Sequence, residues 1–105
     1  MAGMHRLSVS YHAKADPAAF DAHYTGTHVP LALEIPGLRT FTTGHAQSMD
    51  GSTPAYYMVA ELDFDSAEAM ATGMGSTQGA AAVADLPTFA GAGTTFQHYE
   101  VADRM

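Results

Sequence analysis

The segment HYTGTHVPLALEIPGLR, from His23 to Arg39, decides how this chain folds. It continues a stripe of side chains spaced three or four residues apart, as on one face of a helix: Phe20, Tyr24, Thr27, His28, Leu31 and Ile35. The helix is predicted to begin at Asp16-Pro17, with aspartate as the cap and proline in the first helical position. Pro36-Gly37 ends it.

Segments typical of strands lie on both sides of this helix. Period-two alternation and residues that favour strands predict four of them, Met4 to His12, Leu38 to His45, Ala55 to Phe64 and Thr94 to Val101. A second helix is expected to start at Asp65-Ser66-Ala67-Glu68, to be interrupted by Gly73 and Gly75, and to resume from Ser76 to Ala84. Asp85-Leu86-Pro87 should stop it, and a loop from Thr88 to Gly93 should follow.

The predicted order of elements is strand, helix, strand, strand, helix, strand. This is the ferredoxin-like α+β arrangement, a four-stranded antiparallel sheet with two helices on one face, in a single domain of residues 1–105. Strand three carries apolar or aromatic side chains on both faces, because Tyr57 and Val59 alternate with Tyr56, Met58, Ala60, Leu62 and Phe64. A sheet with two apolar faces must bury both. We therefore predict a homodimer in which two sheets close an α/β barrel.

Composition excludes several classes of function. The 105 residues carry a net charge of −7 with only four Lys and Arg, which argues against binding nucleic acid or anionic membrane surfaces. The chain has no cysteine, so disulfides, thiolate nucleophiles and cysteine zinc sites are excluded. The first residues lack an apolar signal core, and a cytoplasmic location is expected.

Three strings carry a family resemblance: DPAAFDAHYTGTHVPLALEIPGLRTF, then YYMVAELDFDSAEAM, then ADLPTFAG. The aromatic Tyr24, then His28 followed by Pro30-Leu31, and then Pro36-Gly37-Leu38, resemble the pattern of the EthD family of dimeric α/β-barrel proteins. The resemblance implies the dimeric barrel. It implies function loosely, because the founding member is associated with ether degradation beside a cytochrome P450 system, and other barrels of this kind are cofactor-free isomerases, cyclases, decarboxylases or oxygenases.

His28 is the main candidate for chemistry. Pro30 cannot donate an N–H to the carbonyl of Gly26, so the helix is expected to kink or restart between residues 27 and 30, tilting His28 and Tyr24 toward one end of the barrel. Histidine is the side chain best suited to proton transfer near neutral pH, which favours His28 as a catalytic acid or base with Tyr24 beside it. The alternative is a core histidine that braces the kink.

Cofactors and metals are not expected. Haem-binding relatives of this barrel use a histidine in the second helix, and residues 65 to 85 contain none. The six histidines show no zinc spacing such as His-Glu-x-x-His. His23, five residues before His28, should lie on a different helical face and point to solvent.

Five further residues are predicted to bind substrate. His45 could meet His28 in one pocket, and the adjacent tyrosines place either Tyr56 or Tyr57 toward the barrel, where Tyr57 could donate a hydrogen bond. Glu61, assigned to the same face as Tyr57, could act as a base if buried, or pair with Arg39 if exposed. Phe41 and Leu31 supply apolar surface.

Three hypotheses about function remain open. The first is a cofactor-independent enzyme that acts on a small apolar or aromatic carbonyl compound, with His28 as acid or base. The second is a non-catalytic protein that binds a hydrophobic metabolite for an oxidative, P450-linked pathway. The third is a structural dimer without a ligand. A carboxylate or second histidine within hydrogen-bond reach of His28 favours the enzyme.

Overall fold

The computed structural model describes residues 3–90 and 93–105. Its elements are β1 (His5–His12), α1 (Pro17–His23), a π-helical segment (Tyr24–His28), α2 (Val29–Leu33), β2 (Thr40–His45), β3 (Tyr56–Phe64), α3 (Ala67–Met74), α4 (Thr77–Phe89) and β4 (Thr94–Glu100). The Asp16 carboxylate caps α1 by accepting from the backbone N–H of Ala19, and Pro17 is its first residue, as the sequence predicted.

The four strands form one antiparallel sheet in the order β2-β3-β1-β4. Leu7 in the central strand β1 lies opposite Leu62 in β3 and His98 in β4. This order, with helices between β1 and β2 and between β3 and β4, is the predicted ferredoxin-like arrangement, which is confirmed.

The core lies between the sheet and the helices. Alternate residues of β1 and β3 face the helices and are buried, and the side chains of this core are Leu7, Val9, Tyr11, Phe20, Tyr24, Ala32, Ile35, Met58, Ala60, Leu62, Phe64, Ala82 and Ala90. Burial of this apolar surface is the main force that holds the helices on the sheet.

The other sheet face carries Tyr56 of β3 and not the predicted Tyr57. Strand β1 has an irregular register at Tyr11/His12, where His12 pairs with Tyr56 instead of Tyr57. This irregularity turns Tyr57 toward the helices, where it contacts Phe20. The assignment of Tyr57 to the face of Val59 and Glu61 is therefore wrong, and Tyr56 lies on that face in its place, with its hydroxyl 3.4 Å from that of Thr95. We call this second surface the open face; it holds Arg6, Ser8, Ser10, Thr42, Tyr56, Val59, Glu61, Asp63, Thr95, Gln97 and Tyr99.

An ion pair occupies one end of the open face. The guanidinium of Arg6 donates from Nε to Oδ1 of Asp63 at 2.8 Å and from a terminal nitrogen to Oδ2 at 3.0 Å. The hydroxyl of Thr40 donates a third hydrogen bond to Asp63 at 2.9 Å. Arg6 also lies 3.6 Å from Glu61. Glu61 therefore pairs with Arg6, and the predicted partner Arg39 pairs with Asp65 instead, at 2.7 Å.

Helix α4 extends beyond its predicted end. The prediction that Asp85-Leu86-Pro87 stops the helix and that a loop starts at Thr88 is wrong, because α4 continues to Phe89 with Pro87 inside it. Proline removes one hydrogen bond, to the carbonyl of Val83. The packing of Leu86 and Phe89 against the core outweighs that single loss. The extra turn carries Asp85 and Thr88 toward the first helix.

Candidate functional site

The π-helical segment brings His23 and His28 onto one side of the helix. Its hydrogen bond runs from the N–H of Val29 to the carbonyl of Tyr24, five residues back, so each turn encloses one residue more than an α-helical turn. Residues five apart, which diverge on an α-helix, come nearly into line here. The predicted irregularity is confirmed, although it spans Tyr24–His28 and so begins before the predicted residues 27 to 30. The prediction that His23 and His28 lie on different faces is wrong for the same reason.

His28 is bonded to a buried carboxylate from α4. Its Nδ1 lies 3.0 Å from Oδ2 of Asp85, and the two side chains are 8% and 10% exposed. An ionised carboxylate only accepts hydrogen bonds, so the Nδ1 hydrogen belongs to His28 and the lone pair of the neutral ring is on Nε2. Among the residues described, no group forms a hydrogen bond with Nε2.

Asp85 is shared with two further donors. Nε2 of His23 lies 3.0 Å from both carboxylate oxygens, and the hydroxyl of Thr88 donates to Oδ1 at 3.0 Å. The side chain of His23 is 30% exposed, far more than that of His28. The predicted solvent-facing role for His23 is therefore wrong, since its ring reaches inward to Asp85. We call His28, Asp85 and His23 the shared-carboxylate triad.

The electrostatics of this triad keep His28 neutral and Asp85 ionised. Burial lowers the pKa of His28 below the usual value for histidine, and the charge of His23 lowers it further, while Asp85 opposes both. Burial alone would raise the pKa of Asp85, but the hydrogen bonds from His23, His28 and Thr88 together hold it below its usual value. Near neutral pH His28 is therefore a free base with its ring orientation fixed by Asp85.

Aromatic rings pack around the two imidazoles. The ring of Phe89 lies 4.8 Å from that of His23 and 4.9 Å from that of His28, measured between centroids. The ring of Tyr24 lies 5.2 Å from that of His28 and is itself buried. Burial raises the pKa of the Tyr24 phenol above its usual range, and it raises the pKa of Tyr11, which packs against Tyr24, to about 12. Both phenols therefore remain O–H donors at physiological pH.

A cavity of about 30 Å³ lies beside His28, between the helices and the sheet. Tyr11, Tyr24 and His28 are its polar lining residues, and the remainder are aliphatic or aromatic side chains, among them Leu7, Val9, Phe41, Leu62 and Leu86. Val83 and Phe96 also line it and are about half exposed, so they mark its opening to solvent. His28 thus lines a mostly apolar cavity beside Tyr24, and its catalytic role stays a prediction.

The other predicted binding residues divide into three groups. Phe41 lines the cavity, and Leu31 packs at the edge of the core. His45 and Tyr57 meet on Asp21 of α1, at 3.2 Å and 2.7 Å, so the prediction that His45 meets His28 is wrong. Glu61 lies on the open face, because its position in β3 alternates with the buried Ala60 and Leu62. The structure brings together His28, Tyr24 and Phe41 and separates them from the rest.

Asp85 and Thr88 are site residues that the sequence did not reveal. Pro87 masks their helix, because a proline at that point ordinarily ends a helical pattern. The spacing of Asp85, Thr88 and Phe89, at positions i, i+3 and i+4 of one helical face, was the available signal.

Neither a metal cluster nor a membrane span is found in the part of the chain that the structure describes. No group of three or more His, Cys, Asp or Glu side chains in residues 3–90 and 93–105 is arranged to hold a metal ion. Likewise, no described helix has the length and hydropathy needed to cross a bilayer.

Comparison with known proteins gives consistent matches along the chain. Residues 12–93 match the family model of the EthD domain. An uncharacterised 11.0 kDa protein of Rhodococcus erythropolis, from the thcB–thcC intergenic region, is 41% identical over 92 residues, covering 88% of this chain and 89% of that protein.

Two solved structures extend the comparison. The crystal structure of an ethyl tert-butyl ether d (EthD) family protein from Bacillus halodurans is 33% identical with a TM-score of 0.89, over 94% of this chain and 99% of that chain. A dimeric ferredoxin-like protein of unknown function from Thermobifida fusca has a TM-score of 0.70 at 13% identity, over 95% and 92% of the two chains, and agrees in fold alone.

Proposed function

The chain belongs to the EthD domain family. From the His28–Asp85 pair and the cavity beside it, we propose that the protein is a cofactor-independent enzyme. In this enzyme His28 moves a proton on a small apolar or aromatic carbonyl compound. The observation that carries the proposal is the hydrogen bond of His28 to a buried carboxylate. Asp85 fixes the ring and supports the imidazolium that forms when Nε2 accepts a proton, as in other histidine–carboxylate pairs.

The proposed step is proton abstraction next to a carbonyl group. Nε2 of His28 takes a proton from the carbon, the electron pair of the C–H bond moves toward the carbonyl oxygen, and an enolate forms. The phenol of Tyr24 donates a hydrogen bond to that oxygen. His28 then returns the proton to the same carbon or to a neighbouring one, which gives exchange or isomerisation without any co-reactant.

The size of the cavity limits the substrate. A volume of about 30 Å³ holds roughly two water molecules. A larger ligand must displace side chains at the opening, where Val83 and Phe96 are half exposed. The apolar lining favours a ligand with a hydrocarbon body and a single polar group.

Deuterium exchange tests the proposed chemistry. The protein is incubated in D₂O with ketones of increasing size, from acetone to acetophenone, and loss of the α-proton signal is followed by NMR. We expect acceleration on the order of 10²-fold over the same concentration of free imidazole, since a positioned base contributes at least that much. His28→Ala should abolish the acceleration, whereas His98→Ala, on the exposed edge strand, should retain it. Exchange that is equal in wild type and His28→Ala contradicts the proposal.

Binding without turnover is the second candidate, and the predominantly apolar lining of the cavity supports it. A hydrophobic metabolite held for an oxidative pathway needs the cavity but not the base. Under this alternative, ketones shift the ring resonances of Tyr24 and His28 without any exchange of their own α-protons. Absence of both effects leaves a structural dimer.

We also propose that the protein forms a homodimer through the open face. Relatives of the same fold include dimeric proteins, such as that of Thermobifida fusca. Val59 and the half-exposed Tyr99 supply apolar surface on a face that no helix covers. Light scattering at micromolar concentration should give twice the mass of 11.0 kDa, and Val59→Lys should reduce it to that of one chain.

A further inference from the structure

The shared-carboxylate triad joins two differently exposed spaces. His28 lines the cavity, whereas His23 lines a second, larger groove of about 430 Å³ between α1 and the end of α4. Thr88 and Phe89 also line this groove, and Phe89 packs against both imidazoles. Asp85 therefore receives one histidine from the solvent side and one from the interior.

One carboxylate cannot stabilise two imidazolium ions equally well. A first proton on either ring is attracted by the charge of Asp85, but a second is repelled by the first. The first proton should go to the ring that loses less hydration. That ring is His23, which is 30% exposed against 8% for His28.

We propose that His23, when protonated, neutralises the charge of Asp85 from the groove side and thereby keeps His28 in its neutral, basic form. This inference rests on the proposed function, because it concerns the base of that reaction. His23 touches no atom in the cavity, so it is a positioning residue that acts through Asp85. Without it, Asp85 would draw a proton to His28 and the base would be lost at a higher pH.

The other ionisable groups nearby do not provide this effect. On the sheet side and on the helix itself His28 faces the phenols of Tyr11 and Tyr24, which remain neutral across the relevant pH range. On the groove side the charged lining residues are Lys14 and Asp16. The ammonium of Lys14 donates to the backbone carbonyl of Ala90, and Asp16 caps α1. Asp85 is the charged group bonded to His28.

Two substitutions at His23 have opposite expected effects. His23→Gln keeps a neutral N–H donor for Asp85 but cannot take up a proton. The negative charge of Asp85 then acts on the ring of His28 alone, and the pKa of His28 should rise by about 0.5 or more. His23→Lys places a permanent positive charge on Asp85, and the pKa of His28 should fall. The measurement is the titration of the His28 ring by ¹H–¹⁵N NMR between pH 4.5 and 9, without substrate.

Controls separate this inference from the proposed enzyme. His98→Gln should leave the titration of His28 unchanged. A rise with glutamine and a fall with lysine support the inference even if no ketone exchange is found. If His28 titrates at the same pH in wild type and both variants, the inference is overturned, whatever the exchange assay shows. Either variant alone is decisive if the other does not fold.

Discussion

Replacing Asp85 with alanine should destabilise the fold through one atom above all, Nδ1 of His28. This donor is buried and has Asp85 as its acceptor. A buried donor left without a partner costs about 1–3 kcal/mol, and a hydrogen bond to a charged group contributes about 1.5–3 kcal/mol. His23 and Thr88 are more exposed and can turn to water. We therefore expect a loss of about 2–4 kcal/mol, a large part of the ~5–15 kcal/mol typical of a domain.

A double-mutant cycle isolates the pair from other effects of the substitution. Urea unfolding at pH 7.5 is measured for wild type, Asp85→Ala, His28→Ala and the double variant. The two side chains should show a coupling free energy of about 1.5–3 kcal/mol. Asp65→Ala is the matched control, because Asp65 also accepts side-chain hydrogen bonds, in its case two from the guanidinium of Arg39, but is exposed, and the unfolding midpoint of this variant should not move.

A coupling below about 0.5 kcal/mol would refute the reasoning, because that is the range of exposed pairs. It would mean that water replaces Asp85 at Nδ1 of His28 and that the carboxylate does not fix the ring. The proposed base would then lose its orienting partner.

Three further predictions concern stability and ligand access. The pKa of His28 is lower in the folded than in the unfolded state, so folding favours the neutral ring. The stability that this contributes is complete above about pH 6.5 and is lost as pH falls through the folded pKa. Urea midpoints measured from pH 8 to 5 should show this fall in wild type and less of it in His28→Phe. His28→Phe should also fill the 30 Å³ cavity, so that the protein folds with a loss of roughly 1 kcal/mol or less but no longer exchanges or binds ketones by NMR. Arg6→Leu should lower the free energy of unfolding by about 2–3 kcal/mol, because it leaves the carboxylate of Asp63 buried without its cation. The double variant Arg6→Leu/Asp63→Leu should recover most of that loss. Equal instability of the single and double variants contradicts this prediction.

Much of the fold follows from local patterns that packing does not override. The burial of Phe20, Tyr24, His28 and Ile35 in the helical stripe and the alternation of Leu7, Val9 and Tyr11 are predicted correctly because each pattern spans several turns or strand repeats. Thr27 is the exception in the stripe, since it is exposed beside the wide π-helical turn. The failures occur at single residues. Pro87 ends a helix by local rules, but the packing of the partly buried Leu86 and Phe89 against the core extends the helix past it. A register irregularity of one residue turns Tyr57 to the opposite face.

Two residues that the first helix contributes to the candidate site were predictable from the sequence, and the partner from α4 was not. His28 and Tyr24 could be found because they interrupt an apolar stripe near Pro30. Asp85 could not, since its partnership with His28 joins positions 57 residues apart through tertiary packing. The same holds for His23, whose direction depends on how many residues each helical turn contains.

The π-helical segment also links the alignment of the two histidines to the number of residues between them. An α-helix rotates each successive residue by 100°, so five residues leave two side chains 140° apart. One surplus residue between His23 and His28, absorbed as a wider turn, cancels most of that angle. If the wide turn became regular α-helix with no change of length, that angle would return and one imidazole would leave the carboxylate, whereas loss of a single residue such as Gly26 would remove the wide turn and leave the two histidines four residues apart, about 40° from one another. The number of residues between the two histidines and the width of the turn that holds them therefore set their alignment together, so that a deletion that makes the helix regular keeps both rings on one face and a regular helix of unchanged length does not.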